Sequence, residues 1–163
     1  MPRTVLLRDW LDRHLVRSHT EEELKNGYSL EPASADASFR RYFRVSLPDG
    51  STRIVMDAPP ELEDCRPFLE VAALLREAGV HAPEVFAEDL SQGFLLLSDL
   101  GSTTYLSVLN ADTAPKLYRD ANAALVDIQR ASRSGVLPEY DRALLTRELN
   151  LFPDWYVARH LGI

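Results

Sequence analysis

Apolar positions in residues 4–18 fall at Leu7, Trp10, Leu11 and Leu15, a three-and-four spacing that predicts an amphipathic helix. Thr20 with Glu23 three residues on is a capping-box pattern, and the short helix it opens would close at Gly27. Residues 28–33 predict a strand. In FRRYFRVSL, Phe39, Phe43, Val45 and Leu47 alternate with Arg40, Tyr42, Arg44 and Ser46, and Arg41 alone interrupts the apolar side. A Pro48-Asp49-Gly50 turn leads to STRIVMD, where Thr52, Ile54 and Met56 alternate again, so the two runs predict a β-hairpin. Pro67 suits the first turn of a helix whose buried side is Phe68, Val71, Ala72 and Leu75, and Gly79 ends it. PEVFAEDL and FLLLSDL, separated by Ser91-Gln92-Gly93, predict a second hairpin. From Gly101 the pattern turns helical. A short helix is expected over 103–110 and a longer one over 113–131, with Leu117, Ala121, Leu125 and Ile128 on one stripe. Asp141 would cap another helix and Asp154 a last one. The compositional boundary lies near Leu100, giving expected domains of 1–99 and 100–163.

Composition narrows the classes. A chain of 163 residues, 45% hydrophobic and 26% charged, suits one domain, or a small domain plus part of another. No apolar run approaches the roughly 20 residues of a membrane helix, and MPRTVLLRDWLDRH meets charge too early for a signal peptide. One cysteine, Cys65, fits a reducing compartment, so a cytoplasmic location is expected. A net charge of −7 argues against duplex nucleic acid as a partner. His160-Leu161-Gly162-Ile163 offers only a glycine as a stop, so the chain is expected to end before its fold does. Apolar surface left by such an end predicts poor solubility or self-association.

Charge is spread unevenly. Residues 36–53 carry four arginines (Arg40, Arg41, Arg44, Arg53) against Asp36 and Asp49, whereas residues 54–99 carry ten acids against Arg66 and Arg76. A basic hairpin in an acidic chain would favour a small anion such as phosphate, although arginines on a half-buried strand can also simply face water. Three strands, a helix, two strands and then helices is the order of a kinase-type N-terminal lobe. The expected fold class is therefore α+β: a five-stranded antiparallel sheet plus a helix, followed by the first helices of an incomplete helical C-terminal lobe. In such a lobe the loop between the first two strands covers nucleotide phosphates. Here that loop is SADASFRRYFRV, whose small residues allow backbone N–H groups to approach phosphate oxygens. It has no glycine, and surface-turn chemistry explains the same residues. FLLLSD running into Leu100-Gly101 would be the adenine hinge, or an ordinary turn capped by Asp99 or Ser102.

The runs DASFRRYFRV, IVMDAPPELED, FLLLSDLGSTTYLSVL and RELNLFPDWYVARHLG resemble the aminoglycoside-phosphotransferase-like kinases. Within them the chain most resembles bacterial cell-wall-recycling kinases, which use ATP to phosphorylate the anomeric hydroxyl of N-acetylmuramate or N-acetylglucosamine. The resemblance implies ATP and a small-molecule sugar as partners. It implies a nucleotide site made by Ser34, Ala35, Asp36, Ser38, Arg40 and Arg44 in the loop and second strand. Glu70 would be the acid that pairs with a strand lysine, and Ser98, Asp99 and Leu100 the hinge. FPDWY, with Asp154 and Trp155, matches a substrate-side insert. Two departures stand out. Ile54-Val55-Met56-Asp57 replaces the V-A-I-K string, with Asp57 where lysine would stand; no lysine lies between Asn26 and Pro115, leaving Arg40, Arg44 or Arg53 as the cation. None of His14, His19, His81 and His160 is followed by Gly-Asp, so the aspartate base and the Mg²⁺ ligands are expected beyond Ile163 and the chain alone is expected to be inactive. The competing readings are a non-catalytic kinase-like interaction domain, or a kinase of another alcohol such as an aminoglycoside or choline. The histidines show no metal-ligand spacing, and Glu63 and Asp64 would raise the pKa of Cys65, against a nucleophilic role.

Overall fold

Helix α1 (Arg3–Leu15) turns Leu7, Trp10, Leu11 and Leu15 onto one stripe, and all four are buried against one face of a sheet in the computed structural model, which describes residues 2–15, 27–35 and 38–163. The sheet comprises β1 (Ser29–Ala35), β2 (Arg41–Ser46), β3 (Thr52–Asp57), β4 (Val85–Asp89) and β5 (Phe94–Ser98). Its spatial order is β1-β2-β3-β5-β4, antiparallel throughout. Helix α2 (Arg66–Glu77) lies between β3 and β4 in the chain and packs on the opposite face. The α+β fold with a five-stranded antiparallel sheet is therefore present, and it matches a kinase-like N-terminal lobe.

Register assigns the two faces. Val55 stands opposite Phe43 and Leu96, and these pack with Val45, Phe94 and the α1 stripe. Met56 stands opposite Tyr42 and Leu95, and these pack with Ala58, Cys65, Leu97 and, on α2, Phe68 and Leu69. With a helix on each side, both faces are dry, which is why β5 reads FLLLS without alternation and why β3 buries Val55 as well as Met56. On α2 the buried residue is Ala72, whereas Val71, expected inside, is 39% exposed. Phe39, also expected on the apolar side, precedes β2 and is exposed. The Thr20–Glu23 capping box lies outside the described residues.

The chain divides into two compact units, 1–131 and 132–163. The first continues after β5 into α3 (Tyr105–Val108), capped by the Thr104 hydroxyl accepting from the Ser107 N–H, and α4 (Ala114–Ala131), which touches α2. The second holds α5 (Arg142–Leu151), whose expected cap is present: Asp141 accepts from the Leu144 N–H at 2.8 Å. Asp154, expected as a cap, instead lies inside the first turn of the last helical stretch, whose cap position is Leu151. α5 runs directly into a π-helical stretch, Phe152–Leu161, because Pro153 lacks the N–H that would continue the α-ladder and the hydrogen bonding shifts to the wider turn. Among the described residues no helix is long and apolar enough to cross a membrane.

Candidate functional site

Strand alternation sorts the hairpin arginines. Arg41, Phe43 and Val45 take the α1 face, while Tyr42 and Arg44 take the α2 face, with Arg40 just ahead of them. Arg40 donates from Nε to Glu63 Oε2 at 3.1 Å, and its own N–H reaches Ser38 Oγ at 3.3 Å. The N–H of Phe39 donates to the other oxygen of the same carboxylate, Glu63 Oε1, at 3.2 Å. Burial works against the Arg40 charge, yet the Tyr42 hydroxyl and the Glu63 carboxylate outweigh it and push the pKa above the ordinary arginine value.

Four residues further along β2, Arg44 grips Asp99 with two parallel bonds, Nε to Oδ2 at 2.6 Å and Nη2 to Oδ1 at 3.1 Å. Asp99 Oδ1 also accepts the Gly101 N–H at 2.8 Å, so one carboxylate ties the second strand to the join between β5 and the helices. Arg44 lowers the Asp99 pKa most. Partial burial opposes it, the Gly101 N–H and the Thr52 hydroxyl reinforce it, and the group titrates at about 2. Because the folded value lies below the roughly 3.9 of a free aspartate, the Asp99 contribution to stability is complete above that value and is lost as pH falls through about 2. Urea midpoints measured from pH 6 to pH 2 are expected to show an acid-side decline that is shallower in Asp99→Asn; identical slopes would contradict the clamp.

The remaining candidates separate. Ser34 and Ala35 end β1, paired with Tyr42 and Arg41, and Asp36 lies outside the described residues. Ser98 is committed to the segment leading into β4: its N–H donates to Glu84 O at 2.8 Å and its Oγ accepts the Glu84 N–H at 2.9 Å. Leu100 differs, for among the described residues its peptide N–H and C=O make no hydrogen bond and its side chain is exposed. Glu70 stands exposed on α2, with no ion-pair partner among the described residues. Arg53, opposite Val45, falls on the α1 face, over the Phe86 ring. The structure thus brings Arg40, Arg44 and Asp99 to one face and leaves Glu70, Ser98 and Arg53 out of their company.

Asp57 departs from the lysine comparison. It is fully buried but faces α1, where Arg3 Nε donates to Oδ1 at 2.7 Å and Arg41 donates to Oδ2. Its neighbour Met56 is the residue turned toward α2. The sequence flagged Asp57 but gave no sign of Arg3 as its partner, 54 positions away. Cys65 is buried, and burial raises its pKa most; Arg40 opposes the shift, while Asp64 and Glu63 add to it. Among the described residues no group of three or more His, Cys, Asp or Glu side chains could hold a metal ion. The donors present suit an anion: guanidinium groups and a loop N–H on one face.

A family model described as a phosphotransferase enzyme family matches residues 29–162. The chain belongs to that family. Over 134 residues it is 60% identical to the N-acetylmuramate/N-acetylglucosamine kinase of Pseudomonas aeruginosa, covering 82% of this chain and 39% of that protein. The kinase of the same name from Pseudomonas putida is 51% identical over 157 residues, 94% of this chain and 46% of the relative. That from Neisseria meningitidis serogroup B is 43% identical over 166 residues, 99% and 47%. The chain therefore spans less than half the length of each of these curated relatives.

Proposed function

We propose that residues 1–99 form the nucleotide-binding lobe of an ATP-dependent amino-sugar kinase, with residues 100–163 supplying the hinge and the first helices of a second lobe. The observation that carries this reading is the convergence on one sheet face of Arg40, Arg44 and the β5-to-helix join, next to the open peptide groups of Leu100. Arg40 would meet triphosphate oxygens, beside a loop in which Ser34, Ala35, Asp36 and Ser38 are small or polar. Leu100 N–H and C=O would meet an adenine edge. Arg44 and Asp99 would fix the angle between the loop strand and the hinge, and Glu70 would be left to face a cation from elsewhere. The likeness to kinases named for N-acetylmuramate and N-acetylglucosamine supports an amino-sugar hydroxyl as the acceptor. When bound with ATP, Mg²⁺ would neutralise developing charge on the phosphates; we place its ligands and the aspartate base in the portion of the relatives that this chain does not span. Within the cell the reading implies the cytoplasm, where ATP is available. Exposed apolar side chains, among them Leu106, Leu125 and Val126 in one unit and Leu149, Phe152 and Trp155 in the other, support self-association of the isolated chain.

Calorimetry with ATP and Mg²⁺ tests the reading. Saturable heat is expected, reduced at least severalfold by Arg40→Ala, with no phosphorylation of N-acetylmuramate by the purified chain. No heat at millimolar nucleotide would favour a kinase-like lobe kept for partner binding.

A further inference from the structure

The Phe39 N–H and the Arg40 guanidinium, donors from consecutive residues, meet the two oxygens of a single carboxylate, that of Glu63. We propose that Glu63 is the built-in occupant of an anion site formed by these two donors, and that a phosphate group of the nucleotide takes the site by displacing it. The inference rests on the phosphate-loop reading of the first hairpin and adds a competitor to it.

A peptide N–H and a guanidinium N–H aimed at adjacent oxygens recognise any anion that carries two oxygens on one atom, so a carboxylate and a phosphate satisfy the same pair. Glu63 does so from outside the sheet. It lies in the connection between β3 and α2, in the acidic run Glu61, Glu63, Asp64. Its side chain needs only to rotate to return to water, with no strand disturbed. The site is reachable, since the Arg40 and Glu63 side chains are 26% and 15% exposed. The bond set is also local to the loop: Ser38 Oγ accepts the Arg40 N–H, so the turn keeps its form when the carboxylate leaves. An incoming phosphate brings more negative charge to Arg40 than the carboxylate it replaces, and the freed Glu63 carboxylate is rehydrated in solvent. Glu63 therefore sets a threshold: monovalent anions do not clear the site, whereas a polyphosphate does.

Titrations of inorganic tripolyphosphate and of ATP into the wild type, Glu63→Gln, Glu63→Ala and Arg40→Ala test the exchange, read by calorimetry and by the amide resonance of Phe39. Both Glu63 variants are expected to bind each probe about two- to fivefold more tightly, the gain from removing a competing ion pair of this exposure. Arg40→Ala abolishes the gain when combined with either, and the Phe39 amide shifts on tripolyphosphate addition in the wild type. If Arg40→Ala weakens ATP while both Glu63 variants bind it no more tightly than the wild type, displacement is overturned and the nucleotide reading stands. If no variant gives heat or a Phe39 shift with either probe, both fall.

Discussion

Gly93→Ala is expected to cost about 4 kcal/mol or more, an effect of the size reserved for changes that cannot be relieved locally. Gly93 closes the β4–β5 turn with φ +72°, and a Cβ there would lie 1.8 Å from the carbonyl oxygen of Ala58 and 2.9 Å from its carbon. Those atoms are backbone, and the same approach makes a hydrogen bond, Ala58 N–H to Gly93 O at 2.8 Å. Room for the methyl comes only by parting β5 from the end of β3, which breaks that bond and loosens Met56, Ala58 and Leu95 on the α2 face. Gly79 is the control. Its φ is +79°, but a Cβ would meet nothing within 4 Å, so Gly79→Ala carries the left-handed backbone cost alone, about 1–2 kcal/mol. Urea unfolding followed by circular dichroism measures both; equal losses would show that the close approach does not constrain the fold.

The second large effect concerns the ion triad on the other face. Arg3→Met combined with Arg41→Met is expected to destabilise by about 3–5 kcal/mol, because it leaves the fully buried Asp57 carboxylate without a counter-charge. Arg3→Met alone should cost more than Arg41→Met alone: the Arg3 side chain is 25% exposed, donates to the Gln92 carbonyl as well and lies 4.9 Å over Phe94, whereas Arg41 is 48% exposed and 5.8 Å from the Phe43 ring. Adding Asp57→Leu to the double variant should recover most of the loss, for an apolar residue of similar size suits a site lined by Phe94 and Val55. The same denaturation series decides it. A triple variant as unstable as the double would show that the carboxylate is not the source of the cost.

Local structure was largely legible because each element carries its own signal. Pro48-Asp49-Gly50 and Ser91-Gln92-Gly93 marked both turns, Pro67 marked the start of α2, and Asp141 marked α5. Facing was not. The stripe Leu7, Trp10, Leu11, Leu15 demands a partner without saying which, and a string comparison that puts Asp57 in a lysine's place fixes order along the strand but not the side of the sheet. One position separates Met56 from Asp57, and one position is a change of face. Pairing across the sheet was hidden for the same reason: Arg44 and Asp99 are 55 residues apart and meet because β3 brings β2 and β5 together. Candidate phosphate contacts could be named from residue type, but that Arg40 already holds Glu63 follows from the path of the chain between β3 and α2.

The match to the family begins at residue 29, after α1 has ended. Yet Trp10 and its neighbours roof Val45, Val55, Phe94 and Leu96, and Arg3 neutralises a charge lodged at the end of β3. The folding unit is thus longer than the stretch the family model matches, and the relative from Neisseria meningitidis serogroup B, aligned over 99% of the chain, extends across α1 as well. An expression clone trimmed to residue 29 would strip the lid from half of the interior, so the first fifteen codons belong in any version intended for the bench.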